Sequence, residues 1–334
     1  MNKKEKKSVS PQRKKQNGFL VTMLVVMVGA VTFANVRGLV NSYYDSFVLV
    51  GDESAEAVSY LKGLTDEGLS EQEAAELAAL REDWDSWRAS RLRDEVTVTA
   101  SDGTVLHGYF YNENSSVTAI AVPRFGTDGT ADFLLGPWMN GQTGCNLLVI
   151  EPRANGESGG DCFSYGYLES RDLTVWMDWV DGLLGKQSFL LWGDASGANT
   201  VLFAAASGAL EGRAAFVVAE SPFASLRDMA DYTLKNSYKL PGFPFRNLME
   251  GKLNQAELGF RSDDLELGEA LAAAEYSVPV LCLVSGQDDY VPSEMSEALS
   301  GMVTETIKGG GSHGSVYAAC RDEVEAQLKA WLGN

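Results

Sequence analysis

Histidine is almost absent: His107 and His313 are the whole supply in 334 residues. Any chemistry that needs an imidazole therefore has at most two places to find one. Cysteine is scarce too. Cys145, Cys162, Cys282 and Cys320 lie far apart with no C-x-x-C spacing, so neither a structural zinc site nor any other metal site is predicted, and no cofactor is expected. Cys145 and Cys282 border or sit in apolar runs and read as core residues, although an oxidising exterior would permit disulfides. Positive charge is missing from most of the chain. Of 27 Lys and Arg, seven stand in residues 1–15 beside a single Glu, which leaves the remainder with 20 basic against 45 acidic residues. An acidic body with no basic stripe argues against nucleic acid and against anionic head groups as partners.

The basic tail, residues 1–17, runs into residues 18–36, which contain no charged side chain (GFLVTMLVVMVGAVTFANV). As a helix this run would be about 28 Å long, enough to cross a bilayer. Basic residues before it and one Arg37 after it predict a single-pass anchor at the cell membrane, with a cytoplasmic N-terminus and everything beyond it extracytoplasmic. A cleaved signal peptide, with Thr32-Phe33-Ala34 as a poor processing site, is the alternative.

Residues 37–92 are predicted to form a helical neck. A capping box, Ser70 to Glu73, opens a helix whose apolar face is Leu77, Leu80, Trp84 and Trp87. The tryptophans are expected to pack on the following domain, with a membrane surface as the alternative. Val96 to Asn112 alternates like a hairpin turning at Ser101-Asp102-Gly103, which makes His107 a strand residue without catalytic duty. From there strand and helix alternate. Strands are predicted at 117–122, 146–150, 188–192, 214–219, 278–284 and 304–307, and helices at 169–184, 197–208, 293–301 and 316–332. This rhythm over residues 93–334 predicts an α/β domain, a mostly parallel sheet with helices on both faces, whose function gathers at the carboxyl ends of the strands. A small helical insertion at about 221–275 interrupts it and is expected to form a cap.

Three segments fall at strand ends. The first is Gly193-Asp194-Ala195-Ser196-Gly197, between an apolar strand and an Ala-rich helix. Gly286-Gln287-Asp288-Asp289-Tyr290-Val291-Pro292 is the second, and Gly311-Ser312-His313-Gly314 the third. Upstream lie Glu151-Pro152-Arg153-Ala154-Asn155-Gly156-Glu157-Ser158-Gly159-Gly160 and the helix containing Glu169, Asp172 and Trp176. Taken in order, these segments resemble the α/β-hydrolase family, in particular membrane-anchored bacterial members similar to serine aminopeptidases and esterases, over about residues 95–332.

The resemblance implies roles for particular positions. His313 matches the general base, and Asp288 the acid that orients it, with Asp289 as the fallback. The Ser196 N–H and an N–H near Arg124 or Phe125 match the oxyanion hole. The centre of G-x-S-x-G, where the attacking serine belongs, is Ala195, which has no oxygen. Pro123-Arg124 replaces a strand-end His-Gly and sets a charge near the mouth, and Ala154 stands where the loop has glycine. The expectation is an ester or peptide hydrolase by ancestry, catalytically impaired at Ala195. Alternatives are an active serine hydrolase using Ser196 with His313 and Asp288, a base that activates water directly, and a non-catalytic module that binds a small ester, peptide or lipid-like ligand.

Overall fold

The computed structural model describes residues 23, 36–41, 69–127 and 133–333. The basic tail, the anchor apart from Met23 and Val36, and the neck before residue 69 apart from 37–41 lie outside the described residues. Among the described residues no helix is long and apolar enough to cross a membrane.

Eight strands form one sheet in the order β1-β2-β4-β3-β5-β6-β7-β8. The hairpin β1 (Asp94–Thr99) and β2 (Val105–Tyr111) is antiparallel, and β2 runs antiparallel to β4 (Asn146–Ile150). The remaining pairings are parallel. They join β3 (Val117–Val122) to β4 and to β5 (Ser188–Asp194), then β6 (Ala214–Glu220), β7 (Val280–Ser285) and β8 (Glu305–Gly309). The central strands are continuous apolar runs because both faces are covered.

Period two divides these runs between two cores. Ile120, Val122, Phe189 and Leu191 face one layer, with Trp176 of α3 (Tyr167–Leu184) and Val201 of α4 (Ser196–Ala206). Ala119, Ala121, Leu190 and Trp192 face the other, with residues of α1 (Glu71–Ala89), α2 (Gly136–Thr143), α9 (Val316–Ala319) and α10 (Arg321–Leu332). The tryptophans of α1 therefore belong to the second core. Leu77, Leu80, Trp84 and Trp87 are all buried there, and Trp84 makes edge contacts with Tyr111 and Phe133.

The interruption after β6 holds α5 (Leu226–Asn236), α6 (Gly242–Gln255), a 3₁₀ turn at Ser262–Leu265 and α7 (Leu267–Ala273). It follows the carboxyl end of β6, so it lies over the edge of the sheet where the strand-end segments meet. The helix predicted at 293–301 is shorter, α8 (Ser293–Glu297), and the C-terminal one breaks at Cys320 into α9 and α10. All four cysteines are free.

Candidate active site

The turn from β5 into α4 is sharp. Ala195 takes φ 50°, ψ −108°, a conformation that a side chain occupies at a cost of about 1–2 kcal/mol. Its neighbours show why the turn needs small residues. A Cβ on Gly193 would lie 2.2 Å from the Gly197 carbonyl oxygen, and one on Gly197 would lie 1.8 Å from that of Val122. Ala195 stands at the apex of the bend. Ser196 is the first residue of α4, and its hydroxyl accepts a 2.9 Å hydrogen bond from the Phe125 N–H.

The loops after β7 and β8 bring two more residues together. His313 Nδ1 lies 2.8 Å from Asp288 Oδ2, and the other carboxylate oxygen of Asp288 accepts from the N–H groups of Tyr290 and Val291 at 2.8 and 2.7 Å. Burial pushes the Asp288 carboxyl up, but the imidazole and the three hydrogen bonds outweigh it and hold the group below its ordinary value. Nδ1–H donation to Asp288 leaves Nε2 as the basic nitrogen; it is buried and carries no hydrogen-bond partner. The Tyr290 ring packs edge-on against the imidazole at 4.9 Å. Of the two candidate acids, Asp288 is the one that meets the histidine. Asp289 accepts at its backbone carbonyl from the Tyr232 hydroxyl.

Arg124 does not stand open at the mouth. Its guanidinium is turned inward onto Asp194, the last residue of β5, because a carboxylate buried there needs a cation. Asp194 in turn pairs across the sheet with Glu220, the last residue of β6. Glu220 accepts from the N–H groups of Val316 and Tyr317 at the start of α9. Burial and the neighbouring Asp194 charge push Glu220 up to about 7. The signal for this acidic pair in the sequence is a carboxylate closing each of two buried apolar strands, LLWGD and FVVAE.

The upstream loop is fixed by Arg153, which grips Asp172 of α3 with two 2.7 Å bonds. Ala154 takes φ 60°, which accounts for a glycine preference at that position. His107 remains on β2, 3.1 Å from Glu151. Among the described residues no cluster of His, Cys, Asp or Glu could hold a metal ion.

An aromatic row leads from the elbow to the cap. Phe125 packs on Phe163 at 4.5 Å, Phe163 on Tyr165 at 4.9 Å, and Tyr165 on Phe223 at 6.1 Å. Tyr165 also lines a small cavity of about 60 Å³, between the apolar Leu226, Met249 and Leu253 and the charged Arg227, Arg246, Glu250 and Glu266.

No model of a known protein family matches the chain. Its fold matches the esterase Pf2001 of Pyrococcus furiosus, with a TM-score of 0.58 and 18% identity over 75% of this chain and 95% of that one. The chain has the α/β-hydrolase fold. Among curated proteins, it is 28% identical to the uncharacterised YqkD of Bacillus subtilis over 57% of its own length, and spans 63% of that relative. It is 26% identical to the uncharacterised YfhR of Salmonella typhi over 64% of its own length and 70% of that protein. The turn after β5, the loop after β7 and the loop after β8 hold Ala195, Asp288 and His313 in turn.

Proposed function

We propose that this chain is a membrane-tethered, extracytoplasmic protein of the α/β-hydrolase fold that keeps a site for a small ester or lipid-like ligand and has lost efficient acyl-transfer chemistry. One observation carries the reading: the apex residue that would attack is Ala195, while the base and its acid remain assembled at 2.8 Å. Without an attacking oxygen no acyl-enzyme forms, and losing that group removes on the order of 10⁶ in turnover. Ser196 does not supply it. Its hydroxyl is held by the Phe125 N–H, and it lies within the helix rather than at the apex.

An ester is the favoured ligand class because the Pyrococcus neighbour is an esterase and because an aromatic row leads from the elbow to the cap. The tether rests on the uncharged run 18–36 behind a basic tail.

The test uses a fluorophosphonate probe and a panel of p-nitrophenyl esters on the full chain, with Ala195→Ser, His313→Ala and the double variant. The native chain is expected to remain unlabelled, Ala195→Ser to label and turn over ester, and the double variant to lose both. Strong labelling of the native chain refutes the reading. The tether is tested separately by alkaline carbonate washing of membranes. The chain is expected to stay in the pellet, and release at a mass lacking the first 34 residues would show cleavage instead.

A further inference from the structure

Beyond the basic tail, the acidic balance of the chain has a local exception in the cap, bordered by Asp231 and Glu250. Residues 232–249 contain Lys235, Lys239 and Arg246 and no Asp or Glu. Arg246 is paired with Asp231, whereas both lysines are exposed. Large apolar side chains stand among them in the open. Phe243 is 76% exposed, Tyr238 47% and Leu248 42%, three of the eight exposed large hydrophobics among the described residues. The corner between α5 and α6 spends little of this surface on its own packing: Leu253 is the one buried residue of α6.

The position of the corner says what lies opposite. The cap follows the carboxyl end of β6, and the chain enters the domain at the same edge of the sheet. Glu73, in the first turn of α1, packs against Gly310, just beyond the carboxyl end of β8. The described chain thus enters the domain, from residue 69, on the side where the cap protrudes, and the proposed tether joins the domain at this edge.

From these observations we infer that the α5–α6 corner docks on the surface of an anionic lipid bilayer. Lys235 and Lys239 meet head-group phosphates, and Phe243, Tyr238 and Leu248 enter the interfacial layer. Aromatic rings with a polar rim suit that layer, and each lysine adds about five-fold to the occupancy of the docked state. The consequence for the site is a ligand class. With its cap in the interface, the aromatic row from Phe223 to Phe125 meets amphipathic lipids of the bilayer rather than solutes from bulk water. This inference rests on the tether proposed above and not on the chemistry at Ala195.

The experiment is hydrogen exchange on the full chain in nanodiscs of phosphatidylcholine with or without phosphatidylglycerol, and in detergent. Exchange over residues 235–249 is expected to slow in the anionic discs relative to both other conditions, while β5 is unchanged. Lys235→Glu with Lys239→Glu, and separately Phe243→Ser, are expected to abolish the slowing; both alter exposed side chains, and unchanged melting checks the fold. Equal exchange in all three conditions overturns docking. Equal protection in both kinds of disc overturns the head-group contact. Protection in detergent that grows with protein concentration assigns the corner to a second copy of the chain and also overturns the inference. A chain that leaves the discs altogether refutes the tether, a failure distinct from remaining bound without protection.

Discussion

Ala195 and Ser196 stand side by side at the elbow and differ in what each keeps. The first keeps the strained apex, φ 50°, and the second keeps the hydroxyl, bonded to the Phe125 N–H. On the proposed reading, that bond occupies a donor that would face a developing oxyanion. In an Ala195→Ser background, Ser196→Ala is therefore expected to raise kcat by about 10²-fold, the usual worth of one oxyanion donor, with a smaller change in KM. A kcat that falls instead would show that the hydroxyl orients the loop. Glu220 supports a second residue-scale expectation. Its folded value, about 7, lies above its ordinary 4.5, so its contribution to stability is complete below pH 4.5 and is lost as pH rises through about 7. Melting followed from pH 5 to 8 is expected to show a smaller decline for Glu220→Gln, whose amide oxygen still accepts from Val316 and Tyr317. Position 195 and the pairing of Asp288 with His313 were legible in the sequence because each lies in a short motif with fixed spacing. The inward turn of Arg124 was not, since its partner Asp194 stands 70 residues away and only the adjacency of β3 and β5 brings them together.

At the scale of elements, α1 shows how a neck becomes part of the core. Its face of Leu77, Leu80, Trp84 and Trp87 is periodic and readable. What it packs on is not, because that depends on Tyr111 and Phe133 from β2 and the loop before α2. Trp84→Ala is expected to cost about 3–5 kcal/mol in denaturant unfolding, as for other large aromatic truncations in cores. Ser70→Ala, which removes one side of the capping box, is expected to cost about 1 kcal/mol. The Arg153–Asp172 pair makes a further test. Asp172→Ala leaves a buried guanidinium with only Asp102, and a loss of about 3–5 kcal/mol is expected from the same measurement. The helix α2 escaped sequence reasoning because GPWMNGQT carries two glycines and a proline, and Met139 is its one buried large side chain. The over-long reading at 293–301 ran past Glu297 because Leu299 is buried, yet it is buried from a turn rather than a helix.

Considered whole, the molecule is a sheet with two cores, and alternation of apolar runs was enough to read that plan. Six parallel strands were placed within about two residues at each end, since a strand covered on both faces has no polar side to blur its limits. The β1–β2 hairpin was equally plain. The order of strands across the sheet was not, because sequence records when a strand is made and not beside which neighbour it lies. Its outermost members carry a final consequence. β8 is five residues long and exposes Glu305 and Lys308, the latter tied to Glu297, while β1 opens on Asp94 and Glu95. Charged, short margins resist the addition of a foreign strand. Copies crowded together would thus be spared edge-to-edge aggregation, and charge-neutral replacements at Glu305 and Lys308 should convert crowding into fibre formation visible by thioflavin fluorescence.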